Sequence, residues 1–306
     1  MTEARPDTAS PERAGLPTPP RLALVFGGSG QIGVPLLRRL HAAGWAVVAV
    51  SRQPQHGGDG VRWLQGELDR VEGLPPAADV VFSCGPSDAF ARWHARGELA
   101  CRRVIAFSST SAEVKRASID DAERAVARRL LDAEEALFES ASHCGVAATV
   151  LRPTLVYGAG RDLNVTRIAQ LARRLHGFAL PSDAIGLRQP VHVEDLAAAA
   201  IACIDVPATH GGTYAVTGGE TLPYREMVAR VLSALQPSPR LVSLPPALFR
   251  TILALARTAG VARDFNDAAL ARMREDLAFD ATPAKRDFGY APRGFSPTEA
   301  ELTPPA

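Results

Sequence analysis

The sequence predicts an α/β protein with a doubly wound parallel sheet and a smaller mixed lobe after it. Three observations carry this. Short apolar runs alternate with helical segments through the first half. The first run ends in Gly27-Gly28-Ser29-Gly30-Gln31-Ile32-Gly33, a glycine-rich turn between strand and helix. After Arg152-Pro153 the alternation loosens while helical patterns persist.

The elements follow in order. Residues 1–20 are rich in Pro, Thr and charge, lack an apolar core segment, and read as a disordered tail rather than a secretory signal. Leu22 to Phe26 is a buried strand, Val34 to His41 a helix ending at Gly44, and Ala46 to Val50 a second strand, which together form a βαβ unit. Val61 to Leu64, Asp79 to Ser83, Arg103 to Phe107 and Val146 to Leu151 supply four more strands. Phe90 to Cys101 and the Ala-, Leu-, Arg- and Glu-rich stretch Asp121 to Ala141 supply helices. The expected dinucleotide-binding unit is thus residues 21–152, and residues 153–306 form an interleaved substrate lobe. There, helices are expected at Leu163 to Leu175, Asp195 to Ile204, Pro223 to Leu235, 246–259 and 266–277, with strands near Arg188 to Val193, Thr213 to Thr217 and Leu241 to Leu244.

Composition narrows the partners. The 306 residues carry 34 Lys plus Arg against 33 Asp plus Glu, so a nucleic-acid polyanion is not indicated as main partner. Cys84, Cys101, Cys144 and Cys203 are scattered, with no metal-ligand spacing and no disulfide framework, which fits a reducing cytoplasm and no metal. The most apolar stretch, Leu244 to Val261, contains Arg250 and Arg257 and falls short of the roughly 18 uncharged apolar residues of a membrane span.

Gly27, Gly30 and Gly33 form GxxGxxG, in which one glycine permits the sharp turn, one admits a pyrophosphate close to the backbone, and one lets helix and sheet approach. Ser29, Gln31 and Ile32 complete the loop, whose helix offers free N–H groups to an anion. An NAD site wants an acid at the end of the second strand; this chain has Ser51-Arg52, and an arginine there favours the 2′-phosphate of NADP, with NAD as the alternative.

The motifs resemble those of the extended short-chain dehydrogenase/reductase family, in particular its NAD(P)-dependent nucleotide-sugar epimerase/dehydratase branch, from Leu22 to about Pro297. Besides the glycine loop, Gly66-Glu67-Leu68 is similar to the family's Gly-Asp-Leu bordering the adenine. Ser83-Cys84-Gly85 stands where the family places small residues along the cofactor. Ser108-Ser109-Thr110 resembles the family's serine motif, in which Thr110 would hydrogen-bond the reacting oxygen. Leu151 to Gly158, containing Pro153 and Tyr157, resembles the crossover into the substrate lobe. Arg188-Gln-Pro-Val-His192-Val-Glu-Asp195 is similar to a motif whose arginine holds the substrate diphosphate. Phe279-Asp280 through Pro292 resembles the terminal motif. The resemblance implies a small-molecule substrate of the nucleotide-sugar class and a homodimer formed through two helices of the sheet layer.

One family feature is missing. The usual base is a tyrosine four residues before a lysine on the helix after the fifth strand. Four residues after Tyr157, Tyr214, Tyr224 and Tyr290 stand Arg161, Gly218, Val228 and Gly294, and the alignment puts Val126 and Leu130 at the dyad positions. Three readings stand: a binding protein without chemistry, such as a sensor or assembly subunit; a reductase with another proton donor; or an enzyme with a relocated base. Lys115, one of only two lysines, is the relocation candidate, against a solvated loop lysine. Tyr157 is a second candidate acid. Asn164 either bonds substrate or caps the following helix, Arg188 either clamps a diphosphate or is structural, His192 reads as a packed strand residue, and Asp195 reads as a helix cap.

Overall fold

The computed structural model describes residues 20–55, 58, 60–258 and 267–305; the expected tail lies outside them except for Pro20, as do residues 259 and 266 at two expected helix ends. The chain runs β1 (Leu22–Phe26), α1 (Gly33–Ala42), β2 (Ala46–Ser51), β3 (Val61–Gln65), β4 (Ala77–Ser83), α2 (Ser87–His94), β5 (Ala100–Phe107), α3 (Ser111–Val114), α4 (Asp121–His143) and β6 (Ala147–Pro153). It continues through β7 (Val156–Tyr157), α5 (Val165–Leu175), β8 (Gly177–Pro181), β9 (Leu187–Arg188), β10 (Val191–His192), α6 (Val193–Ala202), β11 (Thr213–Val216), β12 (Leu222–Pro223), α7 (Tyr224–Ser233), β13 (Arg240–Leu244), α8 (Pro246–Thr258), α9 (Asp267–Arg272) and α10 (Thr282–Phe288).

Seven strands form one parallel sheet in the order β11-β6-β5-β4-β1-β2-β3. The six strands expected from the first half are joined by β11 from the second half, whose Thr213 pairs with Val150 and Val216 with Pro153. The order reverses between β1 and β4, and a doubly wound sheet opens a crevice at the carboxyl end of such a switch. There Phe26 lies opposite Ser83, and Cys84 N–H donates to the Phe26 carbonyl over 2.9 Å before the chains part.

Helices cover both faces. Leu36, Leu37 and Leu40 of α1 pack with Leu196, Ala197 and Ala200 of α6 on one face. Phe90 and Trp93 of α2 pack with Ala133 and Leu137 of α4 on the other, their rings around Phe26 of β1. A separate core joins Val165 and Ile168 of α5 to Met227 and Val231 of α7 in the second lobe.

Some boundaries differ from the sequence reading. The helix expected from Phe90 to Cys101 is α2 and stops at His94, because Gly97 turns the chain with φ +65° and Cys101 already pairs with Ala78 in the sheet. The expected strand from Arg188 to Val193 divides into β9 and β10, which pair with different partners. The strand β8, not expected from the sequence, pairs in parallel with β13. Asp195 does not cap α6: it sits inside the first turn and binds Arg293, while His192 Nδ1 accepts the Glu194 N–H over 3.1 Å. No helix among the described residues is long and apolar enough to cross a membrane.

Candidate functional site

The glycine loop is tightly constrained. Gly27 has φ +75° and abuts the Cys84 backbone, so a Cβ there would meet a carbonyl carbon at 3.0 Å. A Cβ on Gly33 would lie 2.2 Å from the Gly27 oxygen and 2.6 Å from the Gly28 oxygen. The loop therefore folds directly onto the first turn of α1, where Val34 N–H donates to the Gly30 carbonyl over 3.0 Å and Pro35 has no N–H to offer. Ser29 Oγ and Ser51 Oγ are 2.9 Å apart and join the loop to the end of β2. Arg52 follows, exposed.

A cavity of about 540 Å³ continues from this loop along the sheet edge, walled by Gln31, Ile32, Cys84, Gly85, Ser108 and Pro153 among others. Gln31 Oε1 and, at the end of β4, Ser83 Oγ are buried without a hydrogen-bond partner. Buried polar atoms in this state cost stability unless a ligand or water completes them. The glycine cradle that a Cβ would fill and the orphaned Gln31 oxygen in the cavity wall fit a dinucleotide. Burial pushes the Cys84 thiol up to about 12, so it stays protonated at neutral pH. Beyond β3, Glu67 is exposed, and half-buried Leu68 packs on the core beneath.

Ser108 and Arg152 share a buried carboxylate, Glu134 of α4: Ser108 Oγ donates to Glu134 Oε1, Arg152 forks onto both carboxylate oxygens, and Arg152 also reaches Glu113. The cavity wall on α4 carries Arg129 and Leu130.

A second cavity, of about 430 Å³, adjoins the first, with Ser109 and Thr154 in the walls of both. Thr110 lines it and precedes α3; its hydroxyl donates to the Pro153 carbonyl over 3.2 Å. Lys115 lines it with Nζ 4.0 Å from Glu123 Oε1, and Glu123 also pairs with Arg272 and accepts from Ser118. Arg167, Arg188 and Arg272 bring further cations; Leu155, Ile168, Leu171, Phe178, Met227, Met273 and Phe279 bring apolar surface.

Three expectations change here. Tyr157 is 1% exposed, edge-on to the rings of His192 and Phe295, and lines neither cavity; burial first, then the Glu301 carboxylate, pushes its phenol up to about 12. It is a core residue and not an acid of the site. Arg188 is 4% exposed and spends donors on the Leu187, Glu275 and Arg272 carbonyls while lying over the Tyr224 ring, so it holds the lobe together and has few N–H groups left for a diphosphate. Burial lowers its pKa. Asn164 makes no side-chain cap; Asp162 caps α5 instead, accepting the Asn164 and Thr166 N–H groups, while Asn164 lines the second cavity.

The sequence reading missed several residues. Arg161 NH1 donates to the Ser29 carbonyl of the glycine loop over 2.8 Å, a contact no motif signals. Arg129, Arg167 and Arg272 carried no motif signal, because helix spacing and tertiary packing alone bring them to the cavities.

Comparison with known proteins agrees with this architecture. A 2-alkyl-3-oxoalkanoate reductase of Stenotrophomonas maltophilia is 26% identical, over 88% of this chain and 94% of its own length. MoeE5, solved with UDP-glucuronic acid and NAD, superposes with a TM-score of 0.64 at 20% identity over 89% of this chain and 93% of its own. The terminal R domain from the myxalamid PKS-NRPS biosynthetic pathway superposes with a TM-score of 0.68 at 16% identity over 94% and 89%. Residues 101–217 match the model of the NAD dependent epimerase/dehydratase family. That segment is similar to the family model, and the glycine loop ahead of it and the seven-stranded parallel sheet around it give the whole chain the fold of these solved structures.

Proposed function

We propose that this chain is a nicotinamide-dependent oxidoreductase that binds NADP, with NAD as the alternative, across the carboxyl ends of β1, β2 and β4. Its anionic substrate occupies the adjoining cavity. The observation that carries this reading is the shared wall: Ser109 and Thr154 border both cavities, and Thr110 stands beside them on the substrate side. The cofactor, when bound, supplies or accepts hydride at nicotinamide C4. The chain's own work is positioning, which requires the reacting carbon to lie about 3–3.5 Å from that atom. Thr110 Oγ1, turned from Pro153, hydrogen-bonds the substrate oxygen. Lys115 reaches the same chamber and either supplies the proton or orients a ribose, in a site without the Tyr-x-x-x-Lys pair. Arg52 selects the 2′-phosphate.

A nucleotide-activated sugar is the leading substrate class, supported by the family likeness, by MoeE5 solved with a UDP-sugar, and by the cations of the second cavity. A second reading, a 3-oxo acid with an alkyl branch, is favoured by that cavity's extensive apolar wall and by the engagement of Arg188 with backbone carbonyls. It also accords with the reductase relative. Purified protein incubated with NADPH or NADH and a panel of UDP-sugars and 2-alkyl-3-oxo acids should turn over one class, read by nicotinamide absorbance and product chromatography. Tight NADPH binding with no turnover of either class would establish a binding protein instead, and absence of nucleotide binding would refute the whole reading.

A further inference from the structure

We infer that Arg161 is a cation for the cofactor diphosphate, delivered to the glycine loop by the substrate lobe. This rests on the dinucleotide reading above. Arg161 lies 132 residues from Ser29 in sequence, yet its NH1 donates to the Ser29 carbonyl over 2.8 Å. Ser29 sits between Gly28 and Gly30, inside the turn whose N–H groups and helix end face an anion. A guanidinium has five N–H donors in a fixed fork, so one bond to a carbonyl leaves four for phosphate oxygens.

The turn that carries Arg161 is held rigidly. Gly158 has φ +109°, and a Cβ on it would lie 2.4 Å from His192 Nε2. Gly160 has φ +63°, its N–H donates to the Glu301 carbonyl over 2.9 Å, and a Cβ on it would lie 2.0 Å from the Thr303 oxygen. His192 Nε2 in turn lies 2.9 Å from Glu301 Oε1. The C-terminal segment thus clamps the turn, and the turn presents the guanidinium to the loop. Among the described residues no carboxylate pairs with Arg161, although the chain pairs most of its other buried or bridging arginines with acids or carbonyls. Its charge is therefore available to an anion.

The test is calorimetric titration of the full chain, its Arg161→Gln variant and its Arg161→Lys variant with ADP-ribose, which carries the diphosphate without nicotinamide. Adenosine, which carries no phosphate, is followed by ligand-observed NMR. Arg161→Gln should weaken ADP-ribose binding about tenfold or more, and Arg161→Lys should weaken it less, because charge is kept and the fork is lost. Adenosine binding should stay within about twofold, and the salt dependence of ADP-ribose affinity should flatten in Arg161→Gln. Unchanged ADP-ribose affinity in Arg161→Gln overturns the assignment. So does an equal loss for adenosine, which would mean a deformed loop. Failure of the unaltered chain to bind ADP-ribose or NADPH overturns the dinucleotide reading itself and is distinguishable from both.

Discussion

Replacing Gly33 by alanine should weaken nucleotide binding more than it weakens the fold. The added Cβ would lie 2.2 Å from the Gly27 oxygen, and reaching the 3.0 Å that real contacts keep requires about 0.8 Å of movement. Both nearest atoms are backbone oxygens, of Gly27 and Gly28, so no side chain can swing aside. Overpacking of this kind costs about 1–3 kcal/mol, and alanine recovers about 1 kcal/mol through helix propensity, leaving a net loss of about 0–2 kcal/mol. The loop N–H groups move with their carbonyls, and hydrogen bonds fall off steeply with such displacement. NADPH affinity should therefore drop about ten- to a hundredfold, or about 1.4–2.8 kcal/mol. Gly44→Ala is the control. Gly44 has φ +78° with nothing within 4 Å of an added Cβ, so alanine there costs about 1–2 kcal/mol of backbone strain and leaves the loop alone. Urea denaturation and calorimetric titration on both variants separate the two effects. Wild-type affinity in Gly33→Ala, or an equal loss in Gly44→Ala, would refute the argument.

Other consequences can be checked independently. Tyr157→Phe should leave the pH profile of turnover unchanged, since the phenol is walled off from both cavities and stays protonated to about pH 12; a lost limb of the profile would restore it to the chemistry. Asp162→Ala removes the acceptor for two N–H groups at the start of α5 and should cost about 1–2 kcal/mol in chemical denaturation, whereas Asn164→Ala should be near neutral for stability. Asp79 accepts the Leu22 N–H and, from Arg102, a guanidinium bond, which hold its carboxyl below the usual range. Its stabilisation is present above the unfolded value near 3.9 and is lost as pH falls through the lower folded value, so the Asp79→Ala deficit of about 1–2 kcal/mol at pH 7 should shrink across that acid window. Arg52→Asp should reverse the NADPH-over-NADH preference in competitive titration; an unchanged ratio would assign Arg52 to solvent.

Much of the dinucleotide half is legible because its signals are local. A strand buried on both faces reads as an apolar run, and a glycine turn between strand and helix has few other uses. Hence Leu22–Phe26, the loop through Gly33, and the order of β2 to β6 follow from the residues themselves. The second lobe is less legible because its strands are short and paired with distant partners. β8 joins β13 some sixty residues later, and β11 returns to the main sheet beside β6. Single-residue roles depend on more than motif. Arg188 occupies a position that the motif assigns to a diphosphate clamp, and Tyr157 is a candidate acid by its place in the chain, yet burial and backbone carbonyls hold the one and ring packing the other.

The amino-acid pattern alone determined the fold class, the loop suited to an anion, and the absence of a tyrosine four residues before a lysine. Each is written in consecutive or periodically spaced residues, where backbone geometry links neighbours directly. Only the tertiary structure decided which side chains reach the cavities and that Arg161 meets the glycine loop. Those outcomes depend on contacts between segments far apart in the chain, chosen by the packing of two lobes and by which donors the backbone had already claimed.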